Sequence, residues 1–265
     1  MLEELGALAD YSSANQVTYL DAAKARELSK GDEKRLGSIG LPGSSLFGYT
    51  LGPWGEGLKV TQIDTAVDTK DAGRWQGSFD AAAITKSLKS NGYKQTGGDG
   101  EQTWTESGGK GMSFQVSKDE ISYTVRGGAS MAAVTPKEGA SLADKKEYQR
   151  VAECLGDVYR ADFLPLNSTK PVRLSALGQQ AATAAKNTEV LCLVAKDEAT
   201  AARAAAKLRS VVADKSPMFD GTKVTVEEGD QPVVRAVVPD TGKQRPGRLM
   251  ISNMELWMAI TGTEL

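Results

Sequence analysis

Histidine is missing altogether from these 265 residues. No other side chain titrates near neutral pH when unperturbed, and none ligates metals more often. Its absence excludes Ser-His-Asp and Cys-His catalytic arrangements, and every zinc, copper or haem site that uses histidine. Any acid–base chemistry would have to run through carboxylate pairs or a Ser-Lys dyad, and any metal site would be oxygen-ligated. Cysteine is scarce as well: Cys154 and Cys192 are too few for a thiolate cage and too far apart for a CxxC redox pair. Aromatic residues make up 6% of the chain, so its core must be mainly aliphatic. No stretch reaches 18 consecutive apolar residues, the minimum for a helix crossing a bilayer. Charge of one sign is lacking too. With 32 basic and 34 acidic residues interspersed, no field exists to draw in nucleic acid or anionic lipid. The opening Met-Leu-Glu-Glu-Leu-Gly has neither the basic nor the apolar region of a signal peptide. That fits a cytosolic protein, or an exported one whose signal has been removed.

What is present is 40% hydrophobic residues, enough for one large core or two small ones. Val17–Leu20 reads as a strand, followed by a helix over 22–28 with Asp21 as its N-cap. Residues 30–58 are glycine-rich and read as a long loop. A strand near 74–79 leads to Asp80, the expected N-cap of a helix that buries Ile84 and Leu88 and ends at Asn91-Gly92. Period-2 alternation then predicts three antiparallel strands, carrying Trp104, then Met112, Phe114 and Val116, then Ile121, Tyr123 and Val125. After a connection at 131–142 come a helix to about 155 and strands at 158–163, 172–177 and 190–195. Asp197 is expected to cap an alanine-rich helix to about 214. A hairpin at 223–228 and 232–238 and a C-terminal helix over 248–260 complete the chain. Because strand, Asp cap, helix and hairpin recur in the same order, the expectation is an α+β fold of two similar halves. Each half, 16–130 and 143–265, would be an antiparallel sheet with helices packed on one face.

Several motifs resolve into structural features. Ser107-Gly108-Gly109-Lys110 has the S-x-x-K spacing of penicillin-binding enzymes, but glycines and flanking strands make it a hairpin turn. Asp64, Asp68 and Asp71 share a helical face but lack the glycine and closing glutamate of a calcium loop. Asp119-Glu120, Glu227-Glu228 and Asp230 sit at hairpin turns, where no burial would raise a carboxyl pKa for catalysis. No cofactor or metal is expected. The best candidate for ligand or partner binding is the glycine-rich loop with Phe47, Tyr49 and Trp54; the competing reading folds these aromatics back over the core. Cys154 falls on a helix and Cys192 in the apolar run Val190–Val194. A disulfide between them is expected, with two buried free thiols or a reactive cysteine as alternatives.

The stretch Gly73-Arg74-Trp75-Gln76-Gly77-Ser78-Phe79-Asp80 through Asn91-Gly92-Tyr93 resembles uncharacterised lipid-anchored envelope proteins of high-GC Gram-positive bacteria. Val17–Asp21, and Cys154-Leu155-Gly156-Asp157 with Leu191-Cys192, are similar too. The resemblance covers about half the chain and carries no catalytic motif. It implies an exported protein tethered to the outer face of the cell membrane by a lipidated cysteine upstream, with residues 1–15 as the tether remnant. The function expected is non-enzymatic: a sensor, accessory subunit or scaffold binding a small ligand or an envelope protein. The alternative is a carboxylate-dependent hydrolase or transferase working between the halves.

Overall fold

The structure, a computed structural model, describes residues 1–32, 34, 52–96, 102–107, 111–125, 130–166, 170–241 and 243–261. They form two compact units: Glu3–Lys24 with Leu41–Asp144, and Lys145–Leu265 with Met1–Leu2 and Ala25–Gly40.

The first unit contains β1 (Val17–Asp21), β2 (Ile63–Asp68), β3 (Ala72–Gly77), β4 (Tyr93–Thr96), β5 (Thr103–Glu106), β6 (Ser113–Val116) and β7 (Glu120–Thr124). They lie in the order β1-β2-β3-β7-β6-β5-β4. The helix Ala81–Ser90 carries the chain from β3 out to β4, and a meander brings it back so that β7 pairs with β3. The capping expectations hold. The Asp21 carboxylate accepts from the Lys24 amide at 2.8 Å, and that of Asp80 from the Ala83 amide at 2.9 Å. Each satisfies an amide that a helix start leaves without a partner. Ile84 and Leu88 are buried as their spacing requires.

β2 was not expected. Its sequence, Ile-Asp-Thr-Ala-Val-Asp, is too polar to show a clean alternation, yet Ala66, Val67 and Asp68 are all buried. Asp68 is therefore no member of a helical cation site. One of its oxygens accepts from the Trp75 indole at 2.8 Å and from the Tyr123 hydroxyl at 2.7 Å. Gly73 makes room for this junction: a Cβ there would lie 2.4 Å from the Asp68 carboxylate.

The second unit contains β8 (Arg160–Pro165), β9 (Val172–Ala181), β10 (Asn187–Ala195), β11 (Lys223–Glu227) and β12 (Val233–Pro239), in the order β8-β9-β10-β12-β11. β10 is central, as its apolar run implies, pairing with β9 on one side and β12 on the other. Alternation along β10 sends its side chains to two covered faces. Cys192 points to the helix Lys146–Leu155 and is bonded to Cys154, closing a separation of 38 residues. Leu191 and Leu193 point the other way, into a cluster with Ala201, Ala204 and Leu208 of the helix Glu198–Asp214 and with Leu256, Trp257 and Ile260. Asp197 caps that helix by accepting from the Thr200 amide at 2.7 Å. The C-terminal segment forms two short helices, Arg248–Ile251 and Glu255–Thr261, in place of the single one expected. Both Ser252 and Asn253 return their amides to the Arg248 carbonyl, which closes the first of them.

The expected pair of similar halves is overturned. The two units differ in the number and order of their strands. Four strands follow the helix in the first unit and two in the second, and in the second unit helices cover both faces of the strands instead of one. Period-2 patterning reveals which face a residue occupies, but not which strand lies alongside or how many layers cover it.

Candidate functional site

The aromatic loop singled out from the sequence is only partly in view. Phe47 and Tyr49 lie outside the described residues. Trp54 is 6% exposed and meets the Phe114 ring edge-on, with centroids 6.0 Å apart, so its side chain belongs to the core of the first unit. Ser107 donates to the Gly92 carbonyl at 2.6 Å; Gly108, Gly109 and Lys110 lie outside the described residues. Among the described residues, no group of three or more histidine, cysteine, aspartate or glutamate side chains could hold a metal ion.

The most unusual chemistry lies in the second unit, in residues that periodicity did not flag. Register places Arg160 of β8 opposite Gln179 of β9, and Gln179 opposite Glu189 of β10, so the three form one polar row across the sheet. Glu189 is 1% exposed. Its two oxygens accept from the backbone amides of Arg248 at 2.9 Å and Leu249 at 3.2 Å, fastening the start of a C-terminal helix to the sheet. The Arg248 guanidinium stacks over the Phe219 ring, 5.5 Å from its centroid, and its Nε donates to Asp240 at 2.7 Å. The other Asp240 oxygen accepts from the Asn187 amide at 2.6 Å. Asn187 Oδ1 in turn lies 2.7 Å from the Tyr159 hydroxyl, which is also 3.0 Å from the Gln179 side-chain amide. A continuous buried chain of polar groups thus runs from Glu189 to Gln179.

Burial of Glu189, reinforced by the Asp240 carboxylate, pushes its pKa up to about 8, against the opposing pull of the two amides and of Arg248. Since the folded state holds this proton more tightly than the unfolded chain, the contribution is fully present below about pH 4.5. It is lost as pH rises through about 8. We expect the melting temperature to fall between pH 5 and 9, and Glu189→Gln to flatten that slope. The difference between the two proteins over this range should be on the order of 3 kcal/mol or less. Calorimetric melts at five pH values would check it; parallel slopes would contradict it.

Described residues of this unit line a small cavity and a larger groove. The small cavity, about 110 Å³, is lined by Arg160, Asp162 and Gln179 on the sheet and by Pro246, Gly247, Met250 and Ile251 on the segment above. Arg160 and Asp162 face it as an ion pair at 3.0 Å. The larger groove, about 400 Å³, runs between the helix face carrying Lys146, Gln149, Arg150 and Glu153 and the turn Glu228–Gln231. Arg150 is held there by Glu153 at 2.8 Å and Glu227 at 3.4 Å. The turn acids read from the sequence as solubilising charges, Glu228 and Asp230, therefore line a groove.

The network was missed because its members are ordinary residues whose bonded partners lie up to 60 positions apart. One signal was there to find: Glu189 opens the apolar run Val190–Val194, and an acid entering a central strand must meet a partner.

Compared with known proteins, the chain matches no family model, no curated protein and no solved structure.

Proposed function

We propose that this chain is an extracytoplasmic binding protein, tethered outside the cell membrane by a lipid on an upstream cysteine, that takes a ligand or a partner protein as a sensor or accessory subunit. One observation carries the non-enzymatic part. The buried carboxylates of the second unit hold protein donors: Glu189 has an amide on each oxygen, and Asp240 has Arg248 and Asn187. A general acid or base must reach a substrate proton: Glu189 and Asp240 are turned inward, and Asp162, which faces the small cavity, is held by Arg160. The groove at Lys146–Glu153 and Glu228–Gln231 is within the size range of small-molecule sites, and both signs of charge line it. It suits a polar ligand carrying both charges. The disulfide supports residence in an oxidising compartment, and no described helix is long and apolar enough to cross a membrane.

The test is made in the native host. We expect intact cells to expose the protein to added protease, and the denatured, unreduced protein to titrate no thiol at Cys154 or Cys192. Two free thiols would remove the case for export. Turnover of a substrate by the purified protein, abolished by Glu228→Gln or Asp230→Asn, would replace binding with the carboxylate-dependent enzyme.

A further inference from the structure

The hydrogen-bond chain ending at Gln179 has a proton count that can be settled. Asp240 accepts from Arg248 Nε, so it is the anion and can only accept; Asn187 must present its NH2 to it. Asn187 Oδ1 therefore faces Tyr159 and takes the hydroxyl proton at 2.7 Å. A phenol has one proton, so Tyr159 cannot also donate to Gln179 at 3.0 Å. The amide of Gln179 must instead be turned end for end, with its NH2 donating to the Tyr159 oxygen. Oxygen and nitrogen of a side-chain amide have nearly the same shape, and only the surrounding bonds distinguish them.

This orientation sets the chemistry of the small cavity. The amide end directed away from Tyr159 lies beside Gly247, whose φ is +84° and where a Cβ would come within 3.0 Å of it. That end is now a carbonyl oxygen. Gln179 is 7% exposed, so this acceptor belongs to a built wall and not to the surface. Beside it Arg160 and Asp162 neutralise one another. A ligand with a net charge would lose its hydration here and find no unbalanced counter-charge. Across the cavity, Pro246, Met250 and Ile251 supply apolar contact. The volume exceeds what one water needs and falls short of the ~150 Å³ that holds a benzene ring.

We infer that this cavity binds a small neutral carboxamide group, which donates N–H to the Gln179 carbonyl and lays its apolar substituent against Met250 and Ile251. The inference deepens the reading of the chain as a binding protein, yet it concerns a different cavity from the charged groove, so either can fail alone.

Two measurements test it. In the free protein, the Gln179 NH2 protons should show nuclear Overhauser contacts to the Tyr159 ring; contacts to Gly247 Hα in their place would overturn the orientation and the inference with it. Propionamide, titrated by NMR, should shift the Gly247 and Met250 amides saturably. A ligand of five non-hydrogen atoms should bind with a Kd of about 1–10 mM. N,N-dimethylpropionamide, which keeps the acceptor but has no N–H, should bind at least tenfold more weakly. Gln179→Met should abolish the propionamide shifts. Because that change touches a buried position, exposed Ile251→Trp provides a second variant, filling the cavity from its rim and also abolishing them. Equal binding of the two amides, or shifts that persist in both variants, would sink the inference. Shifts confined to the Glu228–Gln231 turn would do so too, while leaving the binding-protein reading intact.

Discussion

Cys154→Ala combined with Cys192→Ala should lower the melting temperature by 10 °C or more. The bond closes a separation of 38 residues. On the chain-entropy estimate, opening a loop of that length releases about 4 kcal/mol of denatured-state freedom. For a unit of this size each kcal/mol shifts the midpoint by roughly 2–5 °C. The packing cost acts in the same direction, because both cysteines are buried, Cys192 at 0% exposure, and alanine leaves a void at each. The bond ties the helix Lys146–Leu155 to the central strand β10, so its loss should loosen that helix first. Melts followed by circular dichroism, with and without reductant, would check this. A shift below 3 °C would show that the helix is held by packing alone.

Arg248→Met should destabilise the second unit by about 3–5 kcal/mol, the usual cost of leaving one member of a buried ion pair alone. Methionine keeps much of the apolar stem, so the loss is mainly electrostatic. The side chains of Arg248 and Asp240 are 3% and 0% exposed, so solvent cannot reach in to solvate the abandoned anion. Adding Asp240→Asn should restore part of the loss, since no charge is then left uncompensated. Denaturant midpoints for the two single changes and the double change would give the coupling energy, and additive losses would show that the pair does not interact. The backbone amide that residue 248 gives to Glu189 is kept in this variant, so the C-terminal helices should stay fastened to β10 while the stability falls.

Local physics was legible in the sequence. Asp21, Asp80 and Asp197 cap the helices assigned to them because a carboxylate three residues ahead of an orphan amide is a short-range signal. Cys154 and Cys192 were placed on a helix and a buried strand, and they pair. Strand count and sheet architecture were not legible. β2 hides behind two aspartates, and which strands lie side by side within each unit depends on edges that meet far apart in sequence. The Glu189–Arg248–Asp240 network depends on the same long-range meeting. What local sequence shows of it is a misplaced charge: one acid at the head of an apolar run and one arginine at the start of an apolar helix.

Within residues 1–265 two thiols admit a single intramolecular pairing. Oxidation therefore has no wrong partner to choose among these residues, and this bond can form in one step without any reshuffling. Since Cys154 leaves a ribosome or a translocation channel 38 residues ahead of its mate, its thiol waits alone in that interval. The hazard during biogenesis is therefore joining to a neighbouring molecule, and covalent dimers should increase with expression level.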